Sequence, residues 1–228
     1  MLAALTACAV GFVSGLRHAL EPDHLAAVST LVAGEKNALT TVRYAAAWGA
    51  GHGVMLIAFG GALALFRAEL PALASDAFEL VVAIVLIVLG VRGLLQARLG
   101  ASGAPVAHRH GTRAHVHAAR EDDHVHVGRW SLARLPFAIG LIHGLAGSGA
   151  LAALIAARVP SAAFALSFIA IYAFGAAVGM SALAGVLGWP LARITRSARA
   201  LPILVGVSAV ASLGIGLWWA WLSLASLA

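Results

Sequence analysis

Charged residues are scarce in this sequence: 11% of its 228 residues are Asp, Glu, Lys or Arg, whereas 61% are hydrophobic. A soluble globular domain is about one quarter charged. The chain therefore lacks the polar surface that would cover a water-soluble core of its size. Lipid solvates apolar side chains, so the composition predicts an integral membrane protein. At roughly 20 residues per crossing, the length suits one bundle of about six helices.

Cysteine is nearly absent as well, and the single Cys8 excludes an internal disulfide. There is no phosphate-binding glycine loop, nucleophile elbow or H-E-x-x-H motif, so we expect neither an enzyme nor a prosthetic group. The net charge of +6 comes from basic residues that lie mainly between apolar runs. That distribution predicts membrane topology rather than nucleic-acid binding.

Six apolar segments are each long enough to cross the hydrocarbon core as a helix. They are residues 2–20, 41–66, 77–95, 132–157, 162–187 and 201–222. Arg and Lys are concentrated after the first, third and fifth segments. The positive-inside rule then places both termini outside the cytoplasm and the long connection after the third segment inside it. We therefore predict an all-α polytopic protein of the cytoplasmic (inner) membrane, embedded in the lipid bilayer.

The two halves of the chain resemble each other. Gly-Leu-Arg-His-Ala-Leu at 15–20 aligns with Gly-Leu-Ile-His-Gly-Leu at 140–145, an offset of 125, and a G-x-x-x-G pair in the following segment aligns at an offset of 126. Since each half would hold three spans, the halves would insert with opposite orientations. This predicts an inverted repeat of 1–97 and 132–228, joined by a loop at 98–131.

Ionisable residues are concentrated at the end of the first apolar segment, where His18, Glu21, Pro22, Asp23 and His24 follow one another closely. On an unbroken helix the two histidines would point about 120° apart. Proline removes a backbone hydrogen bond and breaks the helix, which would bring them together and free the His18 carbonyl as a further ligand. Imidazole and carboxylate suit divalent metals such as nickel, cobalt and zinc. The alternative is an interfacial loop whose polar residues lie among lipid headgroups.

Two further histidines lie inside apolar segments, His52 in the second and His143 in the fourth. A lone intramembrane histidine is usually structural, but four in glycine-rich or proline-broken stretches together predict a site. The repeat places His143 opposite His18, with Ser148 in the position of Asp23.

The long loop holds a second group of histidines, interspersed with Glu121, Asp122 and Asp123. These histidines are His108, His110, His115, His117, His124 and His126. The segment has little apolar content, so we expect no fixed structure without metal. Its composition is typical of an auxiliary metal buffer or sensor, or of a solvated linker with incidental histidines.

The stretch from Arg17 to Leu25 resembles the H-x4-D-H signature of the nickel/cobalt transporter family, in which it reads R-H-A-x-D-A-D-H within a membrane helix. His18, Asp23 and His24 match the defining positions, Arg17 matches too, and Gly51-His52 is similar to the second histidine motif. Typical members have eight spans and an L-G-F-D-T-A-T-E motif that is missing here. The chain is more similar to the short six-span branch that includes urease-accessory nickel permeases.

The favoured function is therefore transport of a divalent transition-metal ion, Ni2+ or Co2+ before Zn2+ or another metal, by alternating access. His18, Asp23, His24, His52 and His143 would hold the ion, while Glu21, Arg17 and Ser148 would assist or gate. Two alternatives stay open: a membrane metal chaperone or sensor acting through the loop, and a proton-coupled transporter of another small solute. A cytosolic metallochaperone or a second copy of the chain could be a partner. Residue types do not distinguish import from export.

Overall fold

The chain is described by a computed structural model over residues 2–32, 38–68, 70–99, 106–110, 113–117, 124–127, 130–146, 161–194 and 200–227. Helices dominate these residues. In chain order they are α1 (Leu2–His18), α2 (Pro22–Val32), α3 (Ala38–Met55), a π-helical turn (Leu56–Gly60), α4 (Gly61–Phe66), α5 (Ala72–Leu99), α6 (Arg134–His143), α7 (Ala162–Ile194) and α8 (Ala200–Leu227).

Within the described residues, four helical segments are long and apolar enough to cross a membrane: Leu39–Phe66, Ala72–Arg98, Ala162–Leu187 and Pro202–Leu227. They correspond to the second, third, fifth and sixth predicted spans, and they make the chain a helical membrane protein. The first predicted span corresponds to α1, which has 17 residues, and the fourth to α6, which has 10. The last residues of the predicted fourth span, 147–157, lie outside the described part. A total of six spans therefore stays a prediction.

The predicted break near Pro22 is present, and it divides two helices. α1 ends at His18, and α2 begins at Pro22. Proline is favoured at the first helical position because its missing N–H would have no partner there and its φ is already helical. The Glu21 N–H donates to the His18 carbonyl at 3.0 Å across the turn. The prediction that the break leaves this carbonyl without a backbone partner is therefore wrong.

Glycine allows pairs of helices from the two halves to pack closely. At Gly15 of α1, a Cβ would collide with the α7 backbone at Tyr172. At Gly140 of α6, a Cβ would collide with the α3 backbone at Trp48 and His52. Small residues permit this approach, which dispersion and polar contacts stabilise within lipid. α1 is thereby held against α7, and α6 against α3, so the ends of α1 and α6 lie beside one bundle core.

The remaining helices complete the bundle around this core. α5 packs along α8, and the Ser212 hydroxyl donates to the Leu86 carbonyl at 3.2 Å between them. The Thr30 hydroxyl joins α2 to α8 by donating to the Ser208 carbonyl at 3.2 Å. Both hydroxyl groups thus find a backbone acceptor inside an apolar bundle. The bond made by Thr30 also holds α2 and the turn before it in place.

The long loop contains two antiparallel hairpins, where its composition predicts no fixed structure. β1 (Val106–His110) pairs with β2 (Arg113–His117), and β3 (His124–Val127) pairs with β4 (Trp130–Ala133). The register sets His108 opposite His115. Isolated two-stranded hairpins are only marginally stable in water.

Gly140→Ala is expected to destabilise the protein, because the new methyl group collides with backbone atoms of α3 that cannot rotate away. We expect the free energy of unfolding to fall by about 1–3 kcal/mol. The matched control is Gly214→Ala in α8, where an added Cβ meets no atom within 4 Å. It should leave stability unchanged or raise it by up to about 1 kcal/mol. Thermal denaturation of the detergent-solubilised variants measures both, and equal melting temperatures for the two would contradict the proposed packing.

Candidate metal centre

The ends of two helices, the start of a third and one position within a long helix bring the predicted ligands together. His18 is the last residue of α1, and His143 is the last residue of α6. Asp23 and His24 lie in the first turn of α2, and His52 lies in the last turn of α3. All five side chains are buried, with at most 3% of any residue exposed. The site is thus assembled from both halves of the chain.

Three of the histidines form the centre of the cluster. The Nε2 atoms of His18 and His52 lie 2.9 Å apart. The ring centroids of His18 and His24 are 4.2 Å apart. One ligand atom from each of His18, His24 and His52 falls within 4.8 Å of the others. Metal–nitrogen bonds of about 2.0–2.1 Å span such a triangle with small side-chain movements.

Asp23 connects the centre to His143. Its Oδ2 atom lies 2.8 Å from His24 Nδ1, within ion-pair distance. The same oxygen lies 4.0 Å from His143 Nε2. A carboxylate in the first turn of a helix is stabilised by the positive end of the helix dipole. Asp23 therefore adds a negative charge to an otherwise imidazole-lined pocket.

Many polar atoms of this pocket have no hydrogen-bond partner within the described residues. They are Asp23 Oδ1, both ring nitrogens of His24, His52 Nδ1 and both ring nitrogens of His143. Leaving a buried polar group unsatisfied costs about 1–3 kcal/mol. A single bound cation would satisfy several of these atoms at once, which makes the cluster a candidate metal centre.

Glu21 lies at the edge of the cluster, where its side chain is 40% exposed. Its Oε2 atom is 3.0 Å from His18 Nδ1. A hydrogen bond from this nitrogen places the lone pair of neutral His18 on Nε2, the atom that points to His52. Metal-binding histidines commonly use the second ring nitrogen in this way. Glu21 thus sets the tautomer of His18.

The structure gives less detail for the other predicted site residues. Arg17 is exposed on α1. Ser148 lies outside the described residues, and so do the side chains of the six loop histidines, whose backbones lie in β1, β2 and β3.

Two aromatic side chains border the histidines, and neither was predicted to belong to the site. Trp48 is fully buried beside the rings of His24 and His143, at centroid distances of 5.2 and 5.5 Å. Its Nε1–H has no partner within the described residues. The ring of Tyr172 lies 5.6 Å from that of His18. The spacing of Trp48 and His52, four residues apart, was the available signal, since it puts both on one face of α3.

The chemistry of this donor set matches borderline divalent metals. Neutral imidazole suits zinc, copper, iron and nickel, while carboxylate also accepts harder ions such as magnesium and manganese. The pocket is enclosed by apolar helix surface, so electrostatic interactions within it are stronger than in water. The arrangement is therefore able to replace part of the hydration shell of a transition-metal dication.

Comparison with known proteins agrees with this interpretation. The urease accessory protein UreH of Bacillus sp. (strain TB-90) is 31% identical to the chain over 200 residues, which cover 86% of this chain and 82% of that protein. The chloroplast protein FOR GROWTH AND FERTILITY 2 of Arabidopsis thaliana is 27% identical over 186 residues, 81% of this chain but 47% of that protein. No family profile and no solved structure matches the chain. The first name describes an accessory to an enzyme and not an enzyme. With this identity over most of both sequences, the chain belongs to the family of the urease accessory protein UreH.

Proposed function

We propose that the chain moves a divalent transition-metal ion, nickel or cobalt, across the membrane through the buried site of His18, Asp23, His24, His52 and His143. The observation that carries this proposal is the convergence of His18, His24 and His52, with ligand atoms within 4.8 Å, inside an apolar helical bundle. A charged group at the bilayer centre costs about 2.5–3.5 kcal/mol on insertion scales. Such a cluster is retained where a membrane protein needs to hold an ion.

The metal assignment has two supports besides the ligand chemistry. The signature around His18 and His24 resembles that of nickel/cobalt transporters, in the branch that includes urease-accessory nickel permeases. The Bacillus relative is named a urease accessory protein, in agreement with that branch. Nickel is the metal that the resemblance implies, and cobalt and zinc are the competitors that an N-rich site would also accept.

Transport by alternating access is supported by the way the two halves contact each other. Gly15 of α1 packs against the α7 backbone, as Gly140 of α6 packs against the α3 backbone. Each of these glycines lies three residues before a buried histidine that ends its helix. These reciprocal contacts fit a 3+3 inverted repeat with the ion at the repeat interface, and rocking of one half against the other would expose it to either side.

The arrangement in the cell follows from charge. The arginine-rich connection 98–131 would face the cytoplasm and both termini the opposite side of the cytoplasmic membrane. The loop histidines would then form an auxiliary site that concentrates or buffers metal beside the transport route. The transport site itself would be the buried cluster.

Loss of either central histidine is expected to abolish transport. In cells that express the protein, His18→Ala and His24→Ala should reduce nickel or cobalt accumulation or extrusion to the level of cells without it, because each removes a nitrogen from the buried cluster. Elemental analysis of washed cells measures this, with immunoblots to confirm membrane insertion. His115→Ala in the loop is the matched control and should retain most of the flux. Unchanged nickel and cobalt handling in both cluster variants would exclude the assignment.

Deletion of residues 107–127 separates transport from loop-based sensing. A transporter that uses the buried cluster should retain flux, with altered affinity or regulation, because the deletion spares every helix of the site. Vesicles reconstituted with the deleted and the full-length chain give the rates directly. Complete loss of function on deletion, with the protein folded and inserted, would favour a receptor that acts through the loop.

Spectroscopy of a bound metal ion can identify the atoms that bind it. X-ray absorption of full-length protein loaded with nickel should show imidazole scattering, and the contribution should fall in His52→Ala, since His52 Nε2 lies at the centre of the cluster. A first shell of oxygens alone, identical in the two proteins, would contradict the histidine site.

A further inference from the structure

A second group of ligand atoms lies beside the buried one. Glu21, Asp23 and His24 each present one nitrogen or oxygen, and these atoms lie within 4.8 Å of one another. We call this group the outer set, and His18, His24 and His52 the inner set. The two sets share His24. The Glu21 side chain is 40% exposed, whereas those of His18, Asp23 and His24 are at most 4% exposed. The outer set is therefore the one that an ion can reach first.

We propose that the outer set is a loading station for the inner set. A divalent ion would bind first to Glu21, Asp23 and His24, and would then exchange Glu21 for His18 and His52 while keeping Asp23 and His24. The proposal rests on the proposed function, because it describes how the transport site fills. In this proposal Glu21 binds the ion directly, whereas binding of the ion by the buried cluster alone would not require that contact.

The charges of the two sets favour this order. The two carboxylates of the outer set neutralise a dication at the point where it loses part of its water. At the inner set the ion would keep Asp23 as its single carboxylate and would gain the imidazoles of His18 and His52, so less negative charge compensates it there and it must gain from nitrogen bonding. The outer set can attract many divalent ions through charge, and the inner set can select those that prefer nitrogen.

The contacts of Glu21 provide the means of transfer. Its Oε2 lies 3.0 Å from His18 Nδ1, so a Glu21 released by the ion can return to His18 and hold Nδ1–H. That bond directs the His18 Nε2 lone pair toward the inner set. One Glu21 carboxylate thus serves as a ligand in the first state and as a support for a ligand in the second.

The inner set has to open slightly to take the ion. The Nε2 atoms of His18 and His52 are 2.9 Å apart, a distance at which a proton lies between them. Two metal–nitrogen bonds of about 2.0–2.1 Å at a tetrahedral angle place the nitrogens about 3.4 Å apart. The ion therefore takes the place of this proton, which leaves Nε2 of His52. His52 Nδ1, which has no hydrogen-bond partner within the described residues, can receive it.

Glu21→Gln tests the proposal, because Gln retains an oxygen that accepts from His18 Nδ1–H but loses the charge that binds the ion. The full-length protein in detergent is mixed with Co2+, and binding is followed by stopped-flow absorption and at equilibrium. His52→Ala removes the inner set and leaves the loop, so its signal is subtracted as background. Glu79→Gln on α5, also partly exposed, is the matched control.

A loading station lies on the path of both entry and exit. In Glu21→Gln we therefore expect the association rate and the dissociation rate of Co2+ to fall by the same factor, about tenfold, which leaves the equilibrium affinity unchanged. A factor of about ten is the lower end of the effect of removing a group that supports a metal ligand. Glu21→Ala also removes the acceptor for His18, so its affinity should fall about 10–100-fold. Glu79→Gln should match the unaltered protein.

Other outcomes overturn the proposal in distinguishable ways. Unchanged association and dissociation rates in Glu21→Gln would show that Glu21 takes no part in metal binding. A raised dissociation rate with an unchanged association rate would make Glu21 a ligand of one single site. If the unaltered protein gives no Co2+ signal above His52→Ala, the inner set does not bind metal and the proposed function fails as well. If it binds with the expected rates but reconstituted vesicles do not accumulate cobalt, transport fails while the loading station stands.

Discussion

The exclusion of water from the helical bundle is the constraint on which this structure depends. Polar atoms in such a place have to be satisfied by the protein or by a ligand, because no solvent compensates them. The backbone meets this demand through its helices, and hydroxyls such as those of Thr30 and Ser212 meet it on neighbouring carbonyls. The atoms around His24 and His143 do not meet it within the described residues. A bound cation would satisfy several of these atoms at once.

Helix ends are what give the site its shape. A histidine in the middle of a long helix can present only one face of that helix, and its backbone groups are already paired. His18 and His143 instead end their helices, and Asp23 and His24 begin one, so three short segments point at the same volume. Glycine at positions 15 and 140 brings these ends close to α7 and α3. The same close packing that stabilises the bundle in lipid therefore also brings the ligands together.

The two groups of histidines differ in ways that match different roles. The buried cluster is small, nearly free of solvent contact and mixed with a carboxylate, as the proposed transport site requires. The loop has more histidines, and it lies among charged residues between helices, where its strands form two separate two-stranded sheets. The chain belongs to the family of the urease accessory protein UreH, and the buried cluster is the group of its described residues whose chemistry is compatible with a metal ion.

Local features of this chain could be predicted from residue order, and long-range ones could not. Hydropathy was sufficient for the long apolar helices, and Pro22 for the break, because both depend on neighbours along the chain. The histidines stood out because ionisable groups are costly in lipid. Yet their convergence depends on which helices pack together, since His52 is 34 residues from His18 and His143 is much farther away. The contacts of Trp48 with the histidines and the hydrogen bond to the His18 carbonyl could not be predicted from the sequence either. Side-chain neighbours and the hydrogen bonds of turns are decided only when the helices pack into the bundle.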